Sequence, residues 1–233
     1  SIACHRPVRP QDRAQLHNNQ GIVYQQRREF DKALKEFQIA IELSPDYADA
    51  FHNLGTLYEQ TGDLNRAEQN YLLSIKRDSK FSPPHNGLCS VYIRRGQFEK
   101  AIEEAKKALK LDPASEDAAY NMGLAHARKK ETPEALKAFR LATDINPNSF
   151  LSHNEMGKVY LVEGKYEEAI IRFKVALEVN ANFSDAWKNL AFAQYQTGDL
   201  AKALQAAKAS VTSDPKSAAA RKILAAIYLK QST

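Results

Sequence analysis

Six alanines, Ala33, Ala67, Ala101, Ala135, Ala169 and Ala203, stand 34 residues apart with no insertion or deletion between them. A recurrence of that length, held over most of a 233-residue chain, confines the fold to a tandem array of one small supersecondary unit. Twelve residues before each alanine comes a small side chain: Gly21, Gly55, Cys89, Gly123, Gly157 or Ala191. Four residues after it comes Phe37, Tyr71, Ala105, Phe139, Phe173 or Ala207, and three further on Ala40, Ser74, Ala108, Ala142, Ala176 or Ser210. Steps of three and four place these residues on one face of a helix, and the small side chain upstream suits a second helix lying close against it. The unit is therefore a pair of helices.

The breaks between helices are written in the same register. Gly62, Gly96, Gly164 and Gly198 end the first helix of their units, because glycine takes the left-handed conformation that closes a helix at little cost. Arg28 and Lys130 occupy that slot in the other two units, which costs roughly 1 kcal/mol if the turn keeps a positive φ. Thr132 is expected to cap the second helix of the fourth unit, with Pro133 as its first residue. Second helices are expected to stop at Ser44, Asp112, Asn146 and Asp214, each followed by proline, which disfavours helix in the residue before it. Repeats then run 14–47, 48–81, 82–115, 116–149, 150–183 and 184–217, after a tail or tether over 1–13. Residues 218–233 read as one further helix that caps the array, with Leu224, Ala225 and Tyr228 apolar and Lys222, Lys230 and Gln231 toward water. The expectation is thirteen helices in one quasi-linear domain without an internal linker.

The units resemble the tetratricopeptide repeat, whose 34-residue signature has Leu-Gly, Tyr, Ala, an aromatic, Ala and Pro in order. Asn53, Leu54, Gly55, Tyr58, Ala67, Tyr71 and Ser74 carry it in the second unit; Asn121, Met122, Gly123, Ala135, Phe139, Ala142 and Pro147 carry it in the fourth. The resemblance covers residues 14–233, with departures at Gln20, Ser79, Ala181 and Gln194, the last standing where tyrosine is usual and beside Tyr195. It implies an all-α solenoid, a right-handed superhelix of stacked hairpins, and a role in holding other polypeptides.

Enzymatic and metal chemistry find little support. His17, His85 and His153 recur at 68-residue intervals in a packing slot filled elsewhere by Phe51 and Trp187, and His126 stands in the tyrosine slot of its unit. Only His5 and His52 fall outside packing positions, no histidine pair has i, i+4 metal spacing, and no HExxH, GxSxG or CxxC occurs. Neither an enzyme, a cofactor nor a metal site is expected. The net charge of +5 favours acidic partners without requiring nucleic acid, and the basic runs at Arg94-Arg95, Lys106-Lys107 and Arg128-Lys129-Lys130 lack interleaved aromatics and have acids beside them. They read as solvated faces. Cys89 reads as a buried spacer at a helix contact.

The resemblance also implies where a partner sits, on the concave wall made by the first helices. In the first two repeats the lining positions are polar: Asn18, Asn19, Ile22, Gln25 and Gln26, then Asp49, His52, Asn53, Thr56, Glu59 and Gln60. Later repeats are more apolar with a basic rim. The expected groove comprises Tyr120, Asn121, Leu124 and Arg128, then Leu151, Asn154, Lys158, Leu161 and Val162, then Lys188, Asn189, Phe192 and Tyr195. Such a surface suits an extended peptide or an amphipathic helix. Asn19, Asn53, Asn121 and Asn189 recur at one position, where an amide can bind a ligand backbone or bond within the array. The residues of the carboxylate clamp used by chaperone-binding members of the family are absent.

Cys4, in Ile2-Ala3-Cys4, resembles the acylation site of a bacterial lipoprotein, although Ser1 stands where leucine is usual and no apolar h-region is visible. With six uninterrupted repeats behind it, the layout resembles the type IV pilus pilotin lipoproteins, which sit at the outer membrane and help secretin subunits assemble. An acylated Cys4 implies the periplasmic face of the outer membrane, and lipid there is the one membrane contact expected. Otherwise the chain reads as a cytoplasmic or polar scaffold regulating motility or assembly. A targeting module excised from a larger enzyme is the remaining alternative, against which the capping helix and the end at Thr233 count.

Overall fold

In the computed structural model, which describes residues 9–231, the chain is all-α. Thirteen helices occur among the described residues: α1 (Pro10–Gln26), α2 (Phe30–Leu43), α3 (Ala48–Thr61), α4 (Leu64–Arg77), α5 (Pro83–Arg94), α6 (Phe98–Leu111), α7 (Glu116–Arg128), α8 (Thr132–Ile145), α9 (Phe150–Val162), α10 (Tyr166–Val179), α11 (Ser184–Gln196), α12 (Leu200–Ser213) and α13 (Ala218–Gln231). They pair as hairpins, odd-numbered with the following even-numbered, and packing divides them into two compact units. One ends at Ala114 and holds α1 to α6; the other begins at Ser115 and holds α7 to α13.

All six signature alanines are fully buried. Aromatic side chains four residues on fill the hairpins, and Phe37, Phe139 and Phe173 have no solvent exposure. The glycine opposite each is dictated by contact: a Cβ on Gly55 would lie 2.8 Å from the Tyr71 ring, and one on Gly123 would lie 2.6 Å from Phe139. The third and sixth repeats reverse the exchange of volume. There the second helix carries Ala105 or Ala207, and the first carries the larger Cys89 or Ala191, both fully buried. Burial pushes the Cys89 thiol up to about 12, so it stays protonated and inert at neutral pH.

Hairpins are also closed at their open ends by hydrogen bonds between positions 26 residues apart. The Ser74 hydroxyl donates to the Ala48 carbonyl (2.8 Å), that of Ser82 to Ala108 (3.0 Å) and that of Ser210 to Ser184 (3.0 Å). At the other end Gly62, Gly96, Gly164 and Gly198 have φ between 71° and 90°, and Arg28 and Lys130 are held at 60° and 64°. Both units thus contain one non-glycine residue in the left-handed region.

Three expectations change. Residues 10–13 are helical: Pro10 opens α1, with Asp12 in its first turn, so an N-terminal tether reaching 13 is too long. Cys4 and His5 lie outside the described residues. The N-cap of α8 is Glu131 instead of Thr132, with no side-chain capping bond; the Glu131 carboxylate is engaged with His126 and Lys129, each at 2.7 Å. On α13 the buried residues are Ala220 and Ile227, with Ile223 and Leu224 half-buried, an i, i+3, i+4, i+7 stripe. Ala225 is exposed, as are Tyr228 (48%) and Leu229 (70%), because the buried stripe runs one position earlier than the repeat phase implied.

Candidate functional site

In the unit that ends at Ala114, the wall formed by α1, α3 and α5 is closed by its own polar side chains. The Asn53 amide donates to the Asn18 side-chain oxygen (2.9 Å), and that of Gln25 donates to Gln60 (3.0 Å). Glu59 is a hub. Its two carboxylate oxygens accept from the Tyr71 hydroxyl (2.8 Å) and the Ser90 hydroxyl (2.5 Å), and its carbonyl accepts from Arg94 (2.8 Å). All but the Tyr71 bond join neighbouring repeats, so these polar side chains of the expected lining, Asn53 among them, are spent on the array itself. His52 is a correction of the same kind. Instead of lying outside packing positions, its ring packs 5.5 Å from Tyr71 and 5.7 Å from Phe81. Its Nδ1 is buried without a partner, and burial lowers its pKa to about 4.

In the unit that begins at Ser115, α7, α9 and α11 form the equivalent wall, and it is built differently. Between α7 and α9 a pocket of about 500 Å³ has Leu124, Ala127, Val159 and Val162 as its apolar lining. Arg128, Lys130 and Lys158 border it, with Glu155. Val162 is 87% exposed, Leu151 42% and Phe192 38%. Lys158 is half-exposed and ion-paired with the less exposed Glu155 (2.7 Å), which holds its ammonium at the rim. Lys188 pairs with Asp185 on the next first helix. The wall thus presents exposed apolar side chains beside cationic ones.

Not every residue expected here is free to meet a ligand. Asn154 is 3% exposed, and its oxygen accepts from Asn189 (3.2 Å), the counterpart of the Asn18 to Asn53 bond. Asn121 is also engaged. Tyr120 packs 5.9 Å from Phe139, and burial, with Glu155 nearby, pushes its hydroxyl up to about 12. Leu124 is half-buried against Phe139 and Met156, and Leu161 and Tyr195 pack against the core around Phe173 and Leu190. Lys230 lies over the Tyr195 ring at 4.6 Å. Arg128, Lys158 and Phe192 are therefore exposed, Asn154 is buried, and Tyr120, Leu124, Leu161 and Tyr195 are partly committed to the core. The sequence reading overlooked Val159 and Lys130 in the pocket; the three-residue step from Val159 to Val162 along α9 was the signal that both face one way.

Two further histidines are held in place by carboxylates. His17 meets Glu36 at 2.7 Å and His85 meets Glu104 at 2.6 Å, a 19-residue spacing that joins the two helices of a repeat. His153 is buried, with Nε2 3.2 Å from the Pro147 carbonyl. Among the described residues no cluster of three metal-ligating side chains occurs, and no helix is long and apolar enough to cross a membrane.

Tetratricopeptide repeat profiles match residues 12–80, 116–149 and 160–230, and a TPR repeat profile matches 90–130. No curated protein matches the chain. Among solved structures, PilF of Pseudomonas aeruginosa superposes with a TM-score of 0.81 at 18% identity, covering 93% of this chain and 98% of its own. PilW, described as a widely conserved type IV pilus biogenesis factor, gives 0.82 at 14% identity, covering 91% of this chain and 98% of its own. YrrB, a TPR protein with an unusual peptide-binding site, gives 0.60 at 23% identity over 80% of this chain and 96% of its own. At such identities the likeness is one of fold. Unbroken 34-residue register, buried signature alanines and profiles that take in nearly all the described helices lead to one assignment: the chain belongs to the tetratricopeptide repeat family, a family of protein-interaction scaffolds.

Proposed function

We propose that the chain is a non-catalytic scaffold that holds a peptide or amphipathic helix of a partner protein against α7, α9 and α11. The observation that carries this reading is the pocket of about 500 Å³ between α7 and α9, with exposed Val162 beside it and Lys158 and Arg128 at its edge. Its apolar lining anchors one or two partner side chains, Phe192 extends the apolar strip, and the cationic rim selects acidic flanks. YrrB, in name a TPR protein with a peptide-binding site, supports a peptide as the ligand type. The test is Val162→Glu combined with Phe192→Glu, which places carboxylates on two already exposed positions. Capture of a specific partner from the native source is expected to be lost while helicity and melting temperature hold. Unaltered capture by the double variant would overturn the assignment of this face.

A finer reading is assistance in assembling a type IV pilus secretin, from an outer-membrane lipid anchor on Cys4. It is supported by the Ile2-Ala3-Cys4 sequence and by the fold shared with PilF and PilW over nearly their whole lengths. Fatty-acid labelling is expected to mark the wild-type product and disappear in Cys4→Ser; an unlabelled wild-type product leaves the scaffold without its membrane anchor.

A further inference from the structure

The sixth repeat contains a second cleft, of about 380 Å³, between α10, α11 and α12, away from the face just described. Leu177, Leu190, Trp187 and Ala206 give it an apolar floor, and Gln194, Gln205, Lys174, Glu178 and Lys202 supply its polar lining. Earlier repeats show what normally occupies this space. Tyr24, Tyr58 and Tyr92 stand at the position of Gln194, and each ring lies beneath the cation eight residues on: Lys32 at 5.3 Å, Arg66 at 5.5 Å and Lys100 at 5.5 Å. In the first two repeats that cation is also paired with an acid three residues before it, Glu29 or Asp63. The sixth repeat keeps the acid and the cation, Asp199 and Lys202 at 2.6 Å, and lacks the ring. A second substitution widens the gap. Glu36 and Glu104, which bond His17 and His85 in the first and third repeats, correspond to Ala206, and Trp187 stands in place of the histidine.

Neighbouring side chains do not refill the space. Tyr195 is turned toward α13, where Lys230 covers its ring, and the Trp187 indole is fixed by donation to the Ala181 carbonyl at 2.7 Å. Gln194 is 4% exposed, and its side-chain oxygen is buried without a hydrogen-bond donor. Lys174, Glu178, Lys202 and Gln205 also line the cleft, yet none donates to that oxygen, and an unmet buried acceptor is costly unless a ligand supplies the donor.

We infer that this cleft receives a tyrosine side chain from a partner polypeptide, the ring lying under Lys202 between Trp187 and Leu190 and the phenol donating to the Gln194 oxygen. The occupant reproduces from outside the tyrosine and cation contact that the first three repeats make internally. Phenylalanine would leave the amide oxygen unmet. The site is separate from the α7 and α9 pocket and does not depend on the function proposed for it.

Trp187 is the only tryptophan in the chain and reports on the cleft directly. Acetyl-Ala-Tyr-Ala-amide titrated into the full chain, with excitation confined to tryptophan, is expected to produce a saturable change in emission at millimolar concentration. The phenylalanine analogue should bind roughly fivefold more weakly for want of one hydrogen bond. Gln194→Tyr, which restores the internal ring, should abolish the response while the melting temperature holds or rises. Ala206→Glu, which restores the side chain of the first and third repeats, should abolish it independently should Gln194→Tyr fail to fold. Absence of a saturable response in the wild type, or an equal response after both fillings, overturns the proposal. p-Cresol binding as tightly as the peptide would also overturn it, since the cleft would then serve a free phenol.

Discussion

The two units solve the same packing problem and then spend their inner walls differently. Around α3, side-chain amides and the Glu59 carboxylate bond across repeats, so polar groups on the wall are consumed in holding hairpins together. Around α9, the corresponding wall leaves Val162 and Leu151 in water beside Lys158. A self-satisfied wall is an internal support; one with exposed apolar side chains is available to another chain. That difference, within a fold whose repeats share one framework, is the ground on which the second wall is proposed as the partner surface.

The largest effect that tests this contrast compares core with wall inside the second unit. Phe173→Ala should cost about 3–5 kcal/mol in chemical denaturation, because the ring is fully buried, whereas Phe192→Ala should change stability by less than about 0.5 kcal/mol. Similar losses from both would place Phe192 in the core and remove it from the partner surface.

Acid should act on the first unit through His52. The buried ring resists protonation down to about pH 4, whereas an unfolded histidine takes up its proton near 6.5. Between those values the unfolded state binds more protons, so stability is full above pH 6.5 and falls as pH drops toward 4, by up to about 3 kcal/mol. Denaturation midpoints at pH 7 and pH 4 should converge in His52→Phe relative to wild type. An unaltered pH dependence would show that the ring is accessible to protons.

A smaller effect is expected where the first wall is bonded. Glu59→Ala leaves the Tyr71 and Ser90 hydroxyls without their acceptor and should cost about 1–3 kcal/mol by thermal melting. A neutral outcome would erase the distinction between a supporting wall and an open one. The smallest effect is shared by the units: Arg28→Gly and Lys130→Gly should each stabilise by roughly 1 kcal/mol, since both residues hold a positive φ.

Register made most of the fold legible before any coordinates. Alanines at 34-residue intervals, glycines at hairpin turns and prolines after second helices located the helices, because each marks a local steric requirement. The wall was harder to read, since whether a first-helix residue meets solvent depends on its neighbour one repeat away. Asn154 and Asn189 look alike in sequence, and only their separation of 35 residues across adjacent helices reveals that they bond each other. Tyr120 depends instead on its own hairpin, its half-buried ring packing against Phe139 on the companion helix. Orphaned groups such as the Gln194 oxygen leave no trace in the sequence beyond the missing tyrosine.

The serine bonds that fasten the open ends of several hairpins, Ser74 to Ala48, Ser82 to Ala108 and Ser210 to Ser184, bear on mechanical load. Tension applied along the chain meets a latch at the mouth of each such loop, so a hairpin resists until its latch ruptures and then pays out as a whole. Extension should proceed in stairs, each releasing on the order of 110 Å of slack for 34 residues, and the array behaves as a ratcheted spring whose step height is written in its period.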